Sequence, residues 1–291
     1  MAKILIAGCG DVGQALGLRL VDAGHEAWGL RRRIEALPGS IRPVAADLGD
    51  PSTLTDLPAD LDAVVYAAAA DASTEEAYRR AYVDGPQNVL AALEDQGQGD
   101  WGGKLRRFIF TSSTSVYGQS DGSWVDETSP TEPKRFTGRI IREAEAWLEG
   151  HPIPTTSVRF GGIYGPGRTR LIRLVQSGEA TVDRQNVAYT NRIHRDDCAG
   201  ILHHLIERDL AGESVDDLYV GVDDEPAPRH EVFDWLADRL GVDRVASASA
   251  PSGGRLHGGS KRCRNARIVS TGYHFQFPSF REGYAALLED T

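Results

Sequence analysis

A run of β-branched and apolar residues at the start of the chain ends in glycines spaced as GxGxxG. The run is KILIAG, and the glycines are Gly8, Gly10 and Gly13. The residues that follow carry apolar side chains at the helical period and end near Gly24. A strand, a glycine-rich turn and a helix in direct succession restrict the fold strongly, because this arrangement begins a βαβ unit of a parallel sheet.

Each of these glycines has its own predicted role. Gly8 permits the tight turn, Gly10 lets a pyrophosphate approach the backbone, and Gly13 lets the helix pack closely on the strand. The helix N-terminus adds N–H groups and the positive end of a dipole, which favour phosphate. A glycine-rich turn without a ligand is the alternative. The motif predicts a dinucleotide site formed by Gly8, Cys9, Gly10, Asp11, Val12 and Gly13.

Strands and helices continue to alternate through the first two-thirds of the chain. The further strand-like runs are 26–30, 42–48, 62–69, 106–113, 155–160 and 217–222. The segment 75–95 reads as a helix with a break near Gly85, and 94–104 reads as a Gly-rich loop. Alternation of this kind predicts an α/β fold with a Rossmann-type, doubly wound parallel sheet.

The regular alternation of strands and helices ends after the sixth strand, which indicates a division into domains. We expect a dinucleotide-binding Rossmann domain over residues 1–165, with 192–222 returning to the sheet. A smaller, C-terminal substrate-binding region is expected over 166–191 and 223–291. In open α/β sheets the ligands bind at the carboxyl ends of the strands, where this second region would lie.

The residues after the second strand indicate which dinucleotide is preferred. An acid at this point would accept hydrogen bonds from a ribose 2′-hydroxyl, but the chain has Arg31 followed by Arg32. Guanidinium groups match a 2′-phosphate, so we predict NADP as the cofactor, with NAD as the alternative. A solvated arginine cluster on the surface is the competing explanation.

Two further pairs are predicted to contact the cofactor. Asp47 and Leu48 follow the third strand and are expected beside the adenine. Ala67 and Ala68 follow the fourth strand, and their small side chains would let the backbone approach the cofactor.

Charge and composition exclude other classes of protein. The chain has 32 basic and 42 acidic residues and a net charge of −10, which opposes general nucleic-acid binding. No run has the length and apolar character of a membrane span, and the N-terminus lacks a signal segment, so a cytoplasmic location is expected. The spacing of Cys9, Cys198 and Cys263 fits neither a disulfide framework nor a metal site.

Several motifs together resemble the extended short-chain dehydrogenase/reductase superfamily, in its NAD-dependent epimerase/dehydratase group. They occur in the order of that family and cover nearly the whole chain. The motifs are TSSTSVYG (111–118), VRFGGIYGPG (158–167), RIHRDDCAGIL (192–202), DLYVGVDDEP (217–226) and EVFDWLADRLG (231–241). The resemblance implies dinucleotide binding on a Rossmann-type fold.

The chain departs from this family at the catalytic helix. Family members use a Ser or Thr at the end of strand five and a Tyr-x-x-x-Lys pair on the next helix, and Ser113 matches the serine. In the best register, judged from Glu145, Thr137 and Ile141 occupy the tyrosine and lysine positions. The first motif also differs, because extended members usually show GxxGxxG. The resemblance therefore implies an atypical member that lacks the standard pair.

Two functions remain open at this point. The first is an NAD(P)-binding oxidoreductase- or epimerase/dehydratase-like protein with a non-standard catalytic site. Tyr164 and Tyr117 are its candidate acids, although both lie in family motifs where packing is the usual role. The second is a non-catalytic, NADP-binding sensor or regulatory protein, which the missing pair favours.

The expected partners are a small-molecule substrate, with no nucleic acid, membrane or metal ion. Lys261, Arg262 and Arg264 lie in the basic segment 258–268 and would attract an acidic substrate, or else form a surface loop. A homodimer through the helices 75–83 and 139–148 is an alternative to a monomer.

The helix 139–148 carries pairs of opposite charge, Arg139 with Glu143 and Arg142 with Glu145, at helical spacing. These pairs predict a solvated outer face, which weighs against the dimer.

Overall fold

The glycine motif occupies the turn after the first strand of the protein. The computed structural model describes residues 1–99, 104–247 and 260–289. Its strands are β1 (Lys3–Ala7), β2 (Glu26–Arg31), β3 (Arg42–Ala45), β4 (Ala63–Tyr66), β5 (Arg107–Ser113), β6 (Trp124–Val125), β7 (Thr155–Phe160), β8 (Gly162–Tyr164), β9 (Thr181–Val182), β10 (Tyr189–Thr190), β11 (Arg192–His194), β12 (Leu218–Gly221), β13 (Ala227–Pro228), β14 (Ala246–Ser247) and β15 (Arg262–Cys263).

Helices connect most of these strands. They are α1 (Asp11–Asp22), α2 (Glu75–Arg79), α3 (Gly85–Leu93), α4 (Phe136–Glu149), α5 (Arg170–Gln176), α6 (Arg195–Leu210), α7 (Arg229–Leu240), α8 (Ala266–Ser270) and α9 (Phe280–Glu289). Short 3₁₀ turns lie at Ile34–Ala36, Pro51–Thr53 and Thr114–Val116, and π-helical turns at Arg80–Asp84 and Glu94–Gln98.

The main sheet has seven strands in the order β12-β7-β5-β4-β1-β2-β3. Strand β1 pairs in parallel with β2 on one side and with β4 on the other, and the β2–β3 and β4–β5 pairs are parallel as well. The direction of winding reverses between β1 and β4, which is where open α/β sheets bind their ligands. The predicted α/β fold with a Rossmann-type parallel sheet is confirmed.

The central strands form the core of the sheet because both of their faces are covered. All four residues of β4 are buried, as are Ile4 to Ala7 in β1. Strands buried on both faces read as continuous apolar runs without alternation, which is the pattern of this part of the sequence.

The chain divides into two compact units. The first contains Met1–Val116, Pro133–Arg159 and Cys198–Tyr219, and the second contains Tyr117–Glu132, Phe160–Asp197 and Val220–Thr291. In the second unit, short two-stranded ladders accompany helices α5, α7 and α9. The core of that unit includes Tyr164, Val182, Phe233, Leu236, Phe280 and Tyr284. The assignment of substrate binding to 166–191 and 223–291 stays a prediction.

The helix predicted over 75–95 is interrupted by a π-helical turn at Arg80–Asp84, just before the expected break at Gly85. The hydroxyl of Tyr66 donates a 2.6 Å hydrogen bond to the carbonyl oxygen of Ala81 in this turn. The Ala81 carbonyl therefore accepts a hydrogen bond from a side chain of the sheet at the place where the regular α-helical hydrogen bonding is interrupted.

The loop predicted over 94–104 is wrong in its first part. Residues Glu94–Gln98 form a second π-helical turn that extends α3. Gly97, with φ of 75°, supplies the non-helical conformation within it. Residues 100–103 of the predicted loop lie outside the described residues.

Within the parts of the chain that the structure describes, no helix is long and apolar enough to cross a membrane.

Candidate functional site

Gly8 begins the turn between β1 and α1 and is required there for two reasons. Its φ of +86° lies in the left-handed region, which side chains rarely adopt. A Cβ at this position would also lie 2.5 Å from the backbone nitrogen of Ala68. The turn after β1 therefore packs against the segment after β4, and only a glycine allows that approach.

Gly13 and Gly10 have different surroundings. A Cβ on Gly13 would lie 2.9 Å from Cγ2 of Ile6, so this glycine lets α1 pack on β1. A Cβ on Gly10 would meet only the carbonyl oxygen of Gly8, at 3.9 Å, among the described residues. The surface over Gly10 is thus open to a ligand, as the predicted approach of a pyrophosphate requires.

The turn offers the donors that a phosphate needs at the start of α1. Gly8 and Cys9 donate their N–H groups to the carbonyl of Leu30, and Gly10 donates to Gly8. Gly10 is the N-cap residue, and no side chain caps the helix there within the described part of the chain. The first turn of α1, which begins at Asp11 and Val12, therefore presents N–H groups that no helical carbonyl accepts.

Cys9 has a packing role in this turn. Its side chain is buried, and its Sγ would lie 2.9 Å from a Cβ on Gly29. Burial raises the pKa of the Cys9 thiol to about 12, with Arg31 acting weakly in the opposite direction. The thiol is therefore neutral and supports the turn, rather than acting as a nucleophile.

Arg31 and Arg32 lie at the carboxyl end of β2, as the sequence predicts. Arg32 Nη2 donates a 2.9 Å hydrogen bond to Asp71 Oδ1, and both side chains are more than half exposed. This hydrogen bond lowers the pKa of the Asp71 carboxyl. The second arginine thus has an acidic partner that a 2′-phosphate would have to compete with or join.

The segment after β3 binds a cation from the π-helical turn, Arg80, which the sequence did not reveal. Arg80 Nη2 lies 2.9 Å from Asp47 Oδ2, and the Arg80 side chain crosses Gly49, where a Cβ would lie 2.0 Å from its Nε. Leu48 accepts a hydrogen bond from Asn88 through its carbonyl oxygen, at 2.9 Å. Asp47 and Leu48 are both half-buried at this edge, so their predicted place beside the adenine stays a prediction.

Ala67 and Ala68 continue from β4 toward the glycine turn. The N–H of Ala67 donates to Ala7 at 2.8 Å, which extends the sheet pairing by one residue. Ala68 lies directly against Gly8, so its small side chain serves the packing of the two turns. The predicted cofactor contacts of this pair remain a proposal.

A buried, charged cluster lies at the end of β5, next to Ser113. Ser112 donates a 2.5 Å hydrogen bond to Glu145 Oε1, and Arg159 donates to both oxygens of Glu145, at 2.9 and 2.7 Å. Glu145 and Arg159 are 1% and 3% exposed. The expectation that Glu145 lies on a solvated face is wrong. Glu145 lies four residues after Ile141, which is on the apolar stripe of the helix, and this spacing was the signal in the sequence that Glu145 is buried.

The predicted pair of Arg142 with Glu145 forms, with Nη1 to Oε2 at 3.7 Å, whereas Arg139 and Glu143 contact other partners. Glu143 binds Arg79 of α2, with Nη2 to Oε1 at 2.6 Å, and Arg139 donates to the carbonyl oxygen of Lys134. The charges on α4 therefore do both: Glu143 joins the helix to α2, and Arg142 pairs along the helix with Glu149, at 3.0 Å.

Ser113 ends β5, and α4 packs against the turn that follows it. Ser113 Oγ accepts a 3.1 Å hydrogen bond from the N–H of Ser115. A Cβ on Gly138 would lie 2.3 Å from the carbonyl oxygen of Ser115, so this glycine lets the start of α4 approach the turn. Thr137 is half-buried and directly precedes Gly138, whereas Ile141 is buried in the core.

Tyr164 and Tyr117 belong to the second unit and are both buried. The Tyr164 hydroxyl lies 3.4 Å from the carbonyl oxygen of Ser279, and a Cβ on Gly283 would clash with it at 1.9 Å. Burial raises the pKa of Tyr164. Tyr117 donates to the carbonyl oxygen of Asp126 at 2.7 Å. These surroundings favour a packing role for both phenols.

The basic C-terminal segment is only partly a surface feature. Lys261 is buried, its Nζ lies 3.4 Å from the carbonyl oxygen of Tyr117, and burial lowers its pKa. Arg262 stacks between Trp124 and Tyr189, at 4.8 and 4.9 Å from the ring centroids. The Arg264 guanidinium also lies over the Trp124 ring, at 4.9 Å from its centroid. Residues 258 and 259 of this segment lie outside the described residues.

Asp197, in the segment IHRDD (193–197), serves the packing of the second unit. Asp197 is fully buried and accepts hydrogen bonds from Tyr273, Gln276 and Phe277. All three cysteines are free thiols. In the described ranges, no three His, Cys, Asp or Glu side chains come together in a way that could hold a metal ion.

Comparisons with known proteins agree with the fold and the turn. The profile of the NAD dependent epimerase/dehydratase family matches residues 4–221. The structure of a proposed NAD-dependent epimerase/dehydratase from Methylobacillus flagellatus is 38% identical, with a TM-score of 0.82 over 99% of this chain and 98% of that one.

Two curated relatives extend over most of the chain. Protein YeeZ of Escherichia coli strain K12 is 27% identical over 293 residues, which are 96% of this chain and 97% of its own length. The 2-alkyl-3-oxoalkanoate reductase of Stenotrophomonas maltophilia is 28% identical over 273 residues, 84% of this chain and 78% of its own. On the family match and the solved structure together, the chain belongs to the NAD-dependent epimerase/dehydratase family.

Proposed function

We propose that the protein is an NADP-preferring oxidoreductase, or an epimerase/dehydratase-like enzyme, with a non-standard catalytic site. The observation that carries the proposal is the open surface over Gly10 at the uncapped start of α1. A pyrophosphate fits there against the N–H groups of the first turn, which are otherwise without helical partners. Family membership supports the same cofactor class.

The preference for NADP rests on the basic residues at the same edge of the sheet. Arg31 and Arg32 end β2, and Arg80 approaches from the π-helical turn. A guanidinium binds a 2′-phosphate through paired, charge-assisted hydrogen bonds. Asp71 pairs with Arg32 and Asp47 pairs with Arg80, and both carboxylates reduce the local positive charge. The preference for NADPH over NADH is therefore expected to be limited in size and to weaken as the salt concentration rises.

Ser113 and Thr137 would hold the oxygen of a substrate carbonyl. A bound nicotinamide supplies or accepts hydride, and the protein must position the substrate and manage one proton. The Ser113 hydroxyl accepts a bond from Ser115, and its own proton can still be donated. Neither hydroxyl is a strong acid, so turnover is expected to be slower by ~10²–10⁴ than with a general acid in place. Tyr164 remains a second, weaker proposal for that acid.

A non-catalytic NADP sensor is the alternative, and one observation favours it. Ile141, at the lysine position of the family pair, is 3% exposed and packs in the core. An apolar side chain there provides no cation to hold the nicotinamide ribose or activate a phenol. The sensor would bind the cofactor through the same turn and would not consume it.

Titration with NADPH and NADH tests cofactor binding. Arg31→Gln and Arg32→Gln are expected to weaken NADPH binding about 10–100-fold and leave NADH binding unchanged, because each loses charge-assisted bonds to the 2′-phosphate. Arg42→Gln is the matched control, since Arg42 begins β3 at the opposite end of the strand and pairs with Glu26. Absence of binding of either nucleotide to the wild-type protein would refute the proposal.

Absorbance at the nicotinamide band, together with product analysis, separates the enzyme from the sensor. Purified protein with NADPH is mixed with a panel of ketones, oxoacids and sugar nucleotides. Loss of absorbance with any of them supports a reductase. An epimerase or dehydratase returns its cofactor to the starting oxidation state, so the same panel is also incubated with NADP⁺ and analysed for altered product. Tight cofactor binding with neither absorbance loss nor product across the panel supports the sensor. A cytoplasmic location, an acidic substrate and a homodimer remain predictions beside this one.

A further inference from the structure

Two arginines of the second unit lie on neighbouring backbone segments. Tyr189 and Thr190 of β10 pair with Pro228 and Ala227 of β13 in an antiparallel ladder. The pairing continues on both sides, because Arg229 donates its N–H to Ala188 at 2.8 Å and Asp223 donates to Arg192 at 2.7 Å. Arg192 and Arg229 lie at opposite ends of this short ladder, and the charge of Arg192 acts on the guanidinium of Arg229.

Both guanidinium groups are buried without full pairing. Arg192 and Arg229 are 8% and 7% exposed. Nη1 of Arg192 and Nε of Arg229 have no hydrogen-bond partner in the described parts of the chain. Burial, followed by repulsion from Arg192, lowers the pKa of Arg229. Buried cations are normally paired, since an unpaired one loses its hydration without compensation.

Asp223 lies close enough to Arg192 for their charges to interact, and one carboxylate can balance at most one of the two arginines. Asp223 is 2% exposed, and neither of its carboxylate oxygens has a hydrogen-bond partner of good geometry among the described residues. Burial raises the pKa of Asp223 well above its usual range, although Arg192 acts in the opposite direction. Burial raises the pKa of the Tyr284 phenol, and the charge of Arg192 and a side-chain hydrogen bond with it act in the opposite direction. The cluster therefore keeps excess positive charge together with groups that can donate hydrogen bonds.

We propose that Arg192 and Arg229 bind one oxyanion group, a carboxylate or a phosphate, of the small-molecule substrate. The inference rests on the proposed function, because it names the chemical class of that substrate. Each guanidinium contributes an unused N–H donor, and donors from two arginines match different oxygens of one anion.

The start of α7 adds to the same site. Arg229 is the first residue of this helix, and Pro228 at the N-cap provides no capping side chain. The positive end of the helix dipole therefore lies beside the unpaired guanidiniums. An anion bound there would relieve the repulsion between the arginines and satisfy both orphaned nitrogens.

Thermal unfolding of the full chain tests the site without knowledge of the substrate. Sodium phosphate and sodium acetate are titrated separately into an oxyanion-free chloride buffer at constant ionic strength. The wild-type Tm is expected to rise with at least one of them, and the stronger response identifies a phosphate or a carboxylate. Arg192→Gln and Arg229→Gln should lose that rise, and the control Arg239→Gln, at the exposed end of α7, should keep it.

The same variants distinguish a binding role from a structural one. In the absence of oxyanions, Arg229→Gln should unfold at the wild-type Tm or above it, because the variant removes a repulsion. A lower Tm for Arg229→Gln, with no response of the wild-type protein to either anion, would show that the arginines only support the fold. An equal response in all variants would also overturn the proposal.

Hydrogen–deuterium exchange of the wild-type protein provides a readout that needs no variant. Phosphate or acetate should slow exchange in residues 188–192 and 229–232, and unchanged exchange at both segments would contradict the site. NADPH titration of the same samples keeps the two proposals apart. Lost NADPH binding with retained anion protection refutes only the cofactor, and the reverse result refutes only the oxyanion site.

Discussion

The hydroxyl of Ser112 donates a 2.5 Å hydrogen bond to Oε1 of Glu145, which joins the end of β5 to the middle of α4. Arg159 of β7 binds the other side of the same carboxylate. The residue after Ser112 is Ser113, the match to the family's catalytic serine. A buried, fully paired carboxylate thus holds the strand end and the helix on which the proposed site depends.

Loss of the Glu145 carboxylate should destabilise the protein strongly. Glu145→Ala leaves Arg159 buried without the carboxylate that it binds, so we expect the free energy of unfolding to fall by ~3–5 kcal/mol. Glu143→Ala on the same helix is the control, because it removes only an exposed pair with Arg79, worth ~0–1 kcal/mol. Urea unfolding measures both. Equal losses for the two variants would contradict the structural role of Glu145.

The glycine turn should separate folding from cofactor binding. Gly8→Ala places a Cβ 2.5 Å from the backbone of Ala68 at a φ of +86°, so the variant should lose well over ~1 kcal/mol of stability. Gly10→Ala meets open space and should unfold within ~1 kcal/mol of the wild type, yet bind NADPH more weakly. Urea unfolding and NADPH titration are the measurements. Unaltered NADPH affinity in Gly10→Ala would place the pyrophosphate elsewhere.

Asp71 is expected to moderate the affinity for NADPH. Asp71→Asn removes the carboxylate that binds Arg32 and frees the guanidinium for the 2′-phosphate. An exposed pair is worth at most ~1 kcal/mol, so NADPH binding should tighten by up to about five-fold at low salt. NADH binding should not change. Calorimetric titration at two salt concentrations checks this, and equal tightening for both nucleotides would exclude the 2′-phosphate as the cause.

Restoring the family pair should cost stability. Ile141→Lys inserts a charge at a buried position on α4 and removes apolar packing, so the free energy of unfolding should fall by ~2–5 kcal/mol. Thr137→Tyr, at a half-buried position, should be tolerated far better. Denaturant unfolding measures each variant, and NADPH oxidation by the double variant tests whether the rest of the site is complete. A fully stable Ile141→Lys protein would mean that the lysine position is open.

Acid should weaken the fold through His203 of α6. Burial lowers the pKa of His203 below its usual value of about 6.5, with Glu207 acting in the opposite direction. The neutral imidazole is favoured in the folded state. Its contribution is therefore complete above about pH 6.5 and is lost as the pH falls through the lowered folded pKa.

Unfolding measured from pH 7.5 to 5 should show this loss, and His203→Gln should reduce the pH dependence. The exposed His274→Gln is the control. Part of the dependence should persist in His203→Gln, because burial also lowers the pKa of His151. An unchanged pH profile in His203→Gln would assign the acid sensitivity to other groups.

Local sequence was sufficient for the sheet and the turn. The spacing of Gly8, Gly10 and Gly13 follows from backbone sterics at a strand–helix junction, so it can be read without knowledge of any distant contact. The uninterrupted apolar runs of β1 and β4 likewise required only that both faces of a parallel sheet are covered. Arg31, the last residue of β2, and Arg32, the next residue, lie at the carboxyl end of that strand as the local pattern predicts, and their contact with a cofactor stays a prediction.

Only the tertiary structure decided which charged and polar residues pair, since the partners are far apart in sequence. Glu145 reads as one more charge on an amphipathic helix until Ser112 and Arg159 come within hydrogen-bond distance. Lys261 reads as a surface base, yet the fold buries it. Arg192 and Arg229, 37 positions apart in the numbering, lie at the two ends of one antiparallel ladder and are buried there. The periodicity of a helix or strand predicts which of its faces is buried. The energy of a buried charge depends instead on its hydrogen-bond and ion-pair partners, which come from distant parts of the chain.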